Sequence, residues 1–360
     1  MAFSTRKKGA KRLFPADFID EAVLAEADWE ELYRLARAID RSPAEYAHAL
    51  DGHLLGTLFY EPSTRTRLSF ETAMLRLGGK VIGFADPSSS SVTKGESLKD
   101  TIRIVSSYCD VLALRTPLEG GARAASRFSS VPVINAGDGS HLHPTQTLTD
   151  LFCIRHLAGT LTGLSVGFCG DLLNGRTVHS LAKSLAKRGC TFYFASSPAL
   201  ALPAYLKEEL IGQGARILEC RTLDECIGEI DVLYMTRTQK ERGSVASDSD
   251  ALRLTADKMA RARREMLVLH PLPKVDEIAP EVDDDPRAVY FTQAKGGVTV
   301  RMALILQLFS RPYVPKCAPV SREARRCKNP RCVTAFEAGL APDTEQGLHG
   351  DVCAYCGTPI

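Results

Sequence analysis

The stretch "EPSTRTRLSF", Glu61 to Phe70, decides how the rest of the chain is read. Residues 63–67 hold one serine, two threonines and two arginines, after which the sequence turns apolar. Pro62 stiffens the approach, and Leu68, Phe70, Ala73, Met74 and Leu77 recur at helical spacing, so a helix begins here. One reading is that Ser63 or Thr64 caps that helix and the arginines form its solvated face. The other is a bound anion. A helix start offers unpaired N–H groups and a partial positive charge, and arginine adds a planar fork that matches phosphate oxygens. The stretch fits both readings, and its surroundings decide.

Upstream, "HLLGTLFY" (53–60) is a short apolar run ending at the Pro-Ser-Thr turn, which reads as a buried strand feeding the helix. Downstream, "KVIGFA" (80–85) is a second strand, followed by the serine-rich loop "DPSSSSVTKGES" (86–97). A helix (98–108), strands "VLALR" (111–115) and "VPVINAG" (131–137), and a helix opening at "HPTQTLTDLFCIRHL" (143–157) continue the alternation. A second series runs from "LSVGFCGD" (164–171) through helix 176–189, strand 191–197, "DVLYMTR" (231–237) and "LVLHPLP" (267–273). Strands alternating with helices predict α/β architecture: two doubly wound, parallel-sheet domains. The helix "GGVTVRMALILQLFS" (296–310) and a linker with three prolines, "RPYVPKCAP", follow. In such sheets the ligand lies outside the carboxyl ends of the strands. Here Ser63–Arg67, Arg115, His143, Arg176, Arg237 and His270–Pro273 each follow an apolar strand.

With 360 residues the chain is long enough for two cores. A formal charge of +2 gives no support for a global nucleic-acid or membrane role. The basic opening "MAFSTRKKGAKR" lacks the apolar core of a secretory signal, and no apolar run is long enough to span a bilayer. Of eleven cysteines, seven are scattered through helical or strand-like segments, which reads as reduced thiols of a cytoplasmic protein.

Each polar position carries two readings. Lys94 is a solvated loop charge, or a mobile cation delivered to an anion. Arg115 is a strand-end surface residue, or a donor to a substrate carbonyl. His143 is a satisfied structural histidine, or a partner of Gln146 one turn on. Arg176 and Arg237 are surface residues, or two forks holding a dicarboxylate. No Ser-His-Asp, Cys-His, Walker or dinucleotide glycine pattern is readable. A site rich in fixed donors and poor in nucleophiles suits direct group transfer with a stabilised oxyanion.

Six motifs in order, "STRTR", "KGESLKDT", "HPTQTLTDL", "GDLLNGRTVHSLA", "YMTRTQKER" and "LHPLPKVDEI", resemble the catalytic chain of the aspartate carbamoyltransferase family over about residues 12–313. The resemblance implies transfer of the carbamoyl group of carbamoyl phosphate to L-aspartate in pyrimidine biosynthesis, with no cofactor for the chemistry. It implies a carbamoyl-phosphate-binding domain over 1–142, completed by helix 297–311, an aspartate-binding domain over 143–296 and a linker over 312–326. Carried over by position, Ser63, Thr64, Arg65 and Thr66 hold phosphate. Thr66, Arg115 and His143 polarise the carbamoyl oxygen. Gln146 and the carbonyls of Leu272 and Pro273, joined by a cis bond, accept from the carbamoyl amino group. Arg176, Arg237 and Gln239 grip aspartate, and Ser90 and Lys94 enter from the neighbouring subunit of a homotrimer. Ornithine carbamoyltransferase is the alternative. Its signature has cysteine where this chain has Pro271, and a cationic substrate would be repelled by Arg237 and Lys94.

Cys327, Cys332, Cys353 and Cys356 follow C-x4-C-x20-C-x2-C, the pattern of a closed four-thiolate structural zinc site in a domain over 327–360. So short a segment builds little core, and the metal would supply its folding energy. The spacing resembles the zinc domain of the family's regulatory chain, which docks on catalytic chains. The nucleotide-binding domain of that chain has no room here, and larger assemblies through the tail are one expectation. The basic "SREARRCKNPRC" leaves nucleic-acid binding open, although Glu337, Asp343, Glu345 and Asp351 follow it.

Overall fold

The computed structural model describes residues 14–237, 249–315, 327–337, 339–347 and 350–360. After helix α1 (Glu26–Arg41), strand β1 (Leu54–Phe59) leads into α2 (Thr64–Arg76) and β2 (Lys80–Phe84). Helix α3 (Leu98–Ser106), β3 (Val111–Thr116), α4 (Gly121–Phe128) and β4 (Val133–Asp138) complete a four-stranded sheet of order β2-β1-β3-β4. All its pairs are parallel, and β1, β3 and β4 are buried nearly throughout, because crossover helices cover both faces.

Helix α5 (Pro144–Ala158) leads to the second unit: β5 (Ser165–Cys169), α6 (Arg176–Ala186), β6 (Thr191–Ala195), α7 (Ala204–Gly212), β7 (Arg216–Cys220) and β8 (Val232–Met235). Short helices α8 (Ser249–Leu252) and α9 (Ala256–Arg261) precede β9 (Leu267–Leu269). The sheet runs β7-β6-β5-β8-β9, again all parallel. Phe168, Phe192, Phe194 and Tyr234 pack as an aromatic cluster on it.

Strand order reverses between β1 and β3 in the first sheet and between β5 and β8 in the second. At such a reversal the flanking connections leave in opposite directions and open a crevice at the carboxyl ends. The two crevices carry the segments 60–66 and 115–120, and 170–176 and 236–237.

Helix α10 (Tyr290–Phe309) returns to pack on α1, α2 and α5, burying Val300, Met302, Leu304, Ile305 and Leu308. No helix among the described residues is long and apolar enough to cross a membrane.

The tail forms α11 (Val333–Phe336) and an antiparallel hairpin of β10 (Thr344–Gly347) and β11 (Gly350–Cys353). It lies on its own chain's α3 and α4. Val333, Leu340, Tyr355 and the four cysteines join Leu98, Ile102, Ala122 and Ala125 in one apolar cluster. The Arg127 guanidinium stacks on the Tyr355 ring at 4.5 Å, donates to its hydroxyl at 2.7 Å and pairs with Asp343. Gly120, at φ +79, admits this approach: a Cβ there would stand 2.6 Å from the Tyr355 backbone. The short segment thus finds its missing core on the larger one.

Truncating Leu304 to alanine should remove packing that α10 makes with three other helices. A loss of about 2 to 5 kcal/mol is expected in urea unfolding, with a smaller loss for Leu304→Met.

Candidate active site

Three helices, α2, α5 and α6, begin around one cavity of about 810 Å³. Their N-caps, Ser63, His143 and Gly175, make no side-chain capping bond, so the first N–H groups of each helix keep their positive end unneutralised. The capped-helix reading of the opening stretch therefore fails for its hydroxyls and survives for one arginine. Arg67 pairs with Glu71 at 2.9 Å on the helix face, whereas Arg65 lines the cavity.

Ser63, Thr64, Arg65, Thr66, Arg115, His143, Gln146, Arg176, Arg237, Leu272 and Pro273 all line that cavity. The Leu272–Pro273 bond is cis. Ser90 and Lys94 stand elsewhere in the connection between β2 and α3: Lys94 ends a short helical turn that Ser90 caps, and the Ser90 hydroxyl donates to the Pro87 carbonyl at 2.8 Å. Gln239 lies outside the described residues.

Among the described lining residues, six are arginines and two are carboxylates, Glu61 and Asp171. Arg115 faces Glu61 at 3.4 Å without hydrogen-bond geometry. Burial, then Arg176 and Arg65, push the Arg115 guanidinium down to about 10, while Glu61 opposes. Burial also lowers Arg65 and Arg176. Gly137, at φ +124, lets these forks close in: a Cβ there would meet Arg115 Nη1 at 2.9 Å and Arg176 Nη2 at 3.4 Å. Arg176 also donates to the Gly139 carbonyl, tying the aspartate-side loop of the expected site to the loop after β4.

His143 is buried, 3.5 Å from Thr66 Oγ1 through Nε2. Burial, then Arg176, Arg115 and Arg301, hold its pKa well below the usual imidazole range. It is neutral at neutral pH and suited to donating one hydrogen bond. Gln146 donates from Nε2 to Asp150 Oδ1 at 2.7 Å, which leaves its Oε1 to accept.

The residue matches fall in two blocks. Residues 16–156 match the model of the aspartate/ornithine carbamoyltransferase carbamoyl-P binding domain, and residues 162–308 match the Asp/Orn binding domain of the same family. The chain belongs to the aspartate/ornithine carbamoyltransferase family. It is 51% identical over 307 residues to an aspartate carbamoyltransferase catalytic subunit of Clostridium botulinum, covering 84% of this chain and 98% of that one. A Clostridium acetobutylicum catalytic subunit matches equally, at 51% over 308 residues, with the same two coverages of 84% and 98%. Among solved structures, the catalytic subunit of M. jannaschii aspartate transcarbamoylase is similar with TM-score 0.78 and 44% identity, over 82% of this chain and 98% of that one. Aspartate transcarbamoylase from Trypanosoma cruzi, in complex with N-(phosphonacetyl)-L-aspartic acid, gives 0.76 and 38%, over 81% and 95%.

At and behind this cavity, sequence reasoning passed over Arg301 and Asp150. Arg301 reaches the cavity from α10, donating to Gly297 O at 2.9 Å, with burial pushing it down to about 10. A lone arginine in the apolar run 296–310 was its signal, since buried arginine needs a partner. Asp150 accepts from Gln146, from Gln293 at 2.6 Å and from Tyr234 at 2.9 Å, and burial raises its carboxyl to about 7. Its place one helical turn from Gln146 was the clue.

The tail brings Cys327, Cys332, Cys353 and Cys356 together, their sulfurs within 4.8 Å of one another. Cys327 and Cys356 are 3.6 Å apart, and Cys332 and Cys353 3.8 Å, as free thiols. A tetrahedron with metal–sulfur bonds of about 2.3 Å has edges of about 3.8 Å. These four cysteines can hold a metal ion.

The neutral His143 fixes a pH dependence. An imidazole in the unfolded chain takes a proton near 6.5, while the folded one resists, so folding stability falls as pH drops through about 6.5. Urea unfolding at pH 7.5 and 5.5 should show the wild type losing about 1 kcal/mol more than His143→Asn.

Proposed function

We propose that this chain transfers the carbamoyl group of carbamoyl phosphate to the amino group of L-aspartate, giving N-carbamoyl-L-aspartate and phosphate. The observation that carries the reading is the cavity itself: three open helix N-termini and six arginines against two carboxylates. Two multiply charged anions fit such a field, and a cationic amino acid does not. The relatives are named aspartate carbamoyltransferase catalytic subunits, and the Trypanosoma cruzi enzyme has been seen with carbamoyl phosphate and aspartate.

In this reading the phosphate rests on the start of α2, on the N–H groups and hydroxyls of Ser63, Thr64 and Thr66 and the Arg65 fork. Thr66, Arg115 and neutral His143 donate to the carbamoyl oxygen, where negative charge grows as the aspartate amine attacks. Gln146 Oε1 and the Leu272 and Pro273 carbonyls accept from the carbamoyl amino group. The C–N bond forms, the C–O bond to phosphate breaks, the amine gives up one proton to the departing phosphate oxygen, and hydrogen phosphate leaves from the cations that bound it. Arg176, Arg237 and Gln239 hold the two aspartate carboxylates.

Ser90 and Lys94 lie off the cavity of their own chain, which suits donation to a neighbour's site in a homotrimer. The tail is read as a structural zinc domain resembling that of the regulatory chain, with the metal held by Cys327, Cys332, Cys353 and Cys356. A bound zinc supplies a cross-link that fixes the two thiol pairs. The buried free thiols Cys109, Cys153, Cys169, Cys190 and Cys226 suit the reducing cytoplasm.

Two assays test these readings. Purified protein should carbamoylate aspartate and leave ornithine essentially untouched, and Arg65→Ala should cost about 10²- to 10³-fold in turnover. Preference for ornithine, or an unimpaired Arg65→Ala enzyme, would refute the assignment. Separately, Cys353→Ser should abolish the bound zinc found by metal analysis. Limited proteolysis should then cut within residues 327–356 while the two sheet domains stay intact.

A further inference from the structure

Arg331 stands one residue before Cys332, in the tail, yet it lines the same cavity as Arg65, Arg115 and Arg176. Backbone fixes its place. The Arg331 carbonyl accepts from the Glu119 N–H at 3.0 Å, and the Glu119 carbonyl accepts from the Val333 N–H at 2.9 Å. The Glu119 carboxylate accepts from Asn329 Nδ2 at 2.6 Å and faces Arg331 Nε at 2.9 Å. The two partners differ sharply in exposure: the Glu119 side chain is 8% accessible and that of Arg331 63%. One end of the guanidinium is therefore anchored while the rest stays in water. Arg331, Ser140 and Asn174 line both this cavity and the cleft beside it, which puts the charge where the loop after β4 meets the loop leading to Arg176. Glu119 lies on the connection from β3, whose Arg115 enters the site, and the next residue, Gly120, donates to Asp138 at the end of β4.

We propose that Arg331 is a tail-supplied cation of the substrate entrance, held there by the Glu119 contacts of the segment between Cys327 and Cys332, and that it draws anionic substrates into the cavity. The inference rests on the carbamoyl-transfer reading. An exposed charge at a cleft mouth raises the local concentration of anions, and salt screens it. It acts on capture, leaving the chemical step to the residues inside. Arg331 is thus a capture residue contributed by the tail.

The test compares metal-loaded wild type with Arg331→Ala, Arg331→Lys and Arg331→Glu. At low salt, kcat/KM for both substrates should fall about two- to fivefold in the alanine variant and further in the glutamate variant. Lysine should restore most of it, kcat should change little, and the differences should shrink at ~0.5 M salt. Calorimetric binding of inorganic phosphate should rank the four proteins in the same order. Equal phosphate affinity in all four, or a loss that lysine does not rescue and salt does not diminish, overturns the proposal. If wild type fails to carbamoylate aspartate while the phosphate ranking holds, the function assigned above is wrong and the entrance cation stands.

Discussion

Positive charge held out of water without enough negative charge beside it is the constraint on which this molecule is organised. Burial and mutual repulsion push Arg115 down to about 10, and burial lowers Arg65, Arg176 and Arg301 as well. Such a cluster opposes folding unless something holds it, because buried cations lose hydration and repel one another. The holding is done by features that would otherwise look unrelated. Parallel strands deliver their carboxyl ends to two facing crevices, three helices start there uncapped, and Gly137 leaves room for two guanidinium groups. The field is then in place before the substrate arrives, which is what lowers the reorganisation needed as charge develops.

Much of this was legible in sequence because strand–turn–helix alternation is a local signal. "HLLGTLFY" followed by "PSTRTR" fixes a buried strand and a helix start in one glance, and β1 and α2 form there. What was not legible is which of two readings each side chain takes. Arg65 and Arg67 are chemically identical and two residues apart, yet helical geometry turns one into the cavity and pairs the other with Glu71. Arg301 and Asp150 escaped for a related reason. Their roles depend on which helices meet, α10 with α5, and that meeting is a long-range fact that a local pattern does not encode.

The tail shows the same limit from the other side. Its cysteine spacing announces a metal site, and the four sulfurs do converge. The spacing says nothing about the surface against which so small a module completes its core. That surface is α3 and α4 of the same chain, joined through Tyr355, Val333 and Leu340, and Arg127 clamps it with a stacked ring and an ion pair. A residue of one module thereby lines the cavity of another, and a side chain crosses the module boundary read from the cysteine spacing and the proline-bearing linker.

Asp150 shows how a buried network can set the polarity of a neutral side chain. An amide offers donors at one end and an acceptor at the other, and nothing in Gln146 itself chooses which end faces the cavity. Asp150 chooses. Its carboxylate can only accept once ionised, and it takes N–H groups from Gln146 and Gln293 and the hydroxyl of Tyr234. Tyr234 comes from the second sheet and Gln293 from α10, and Gln293 in turn accepts from the His270 N–H in the segment that carries Leu272 and Pro273. With burial raising the carboxyl to about 7, ionisation costs free energy that these donors offset. One carboxylate therefore joins α5, α10 and β8 and leaves the Gln146 oxygen free to accept, beside the cavity that Leu272 and Pro273 also line.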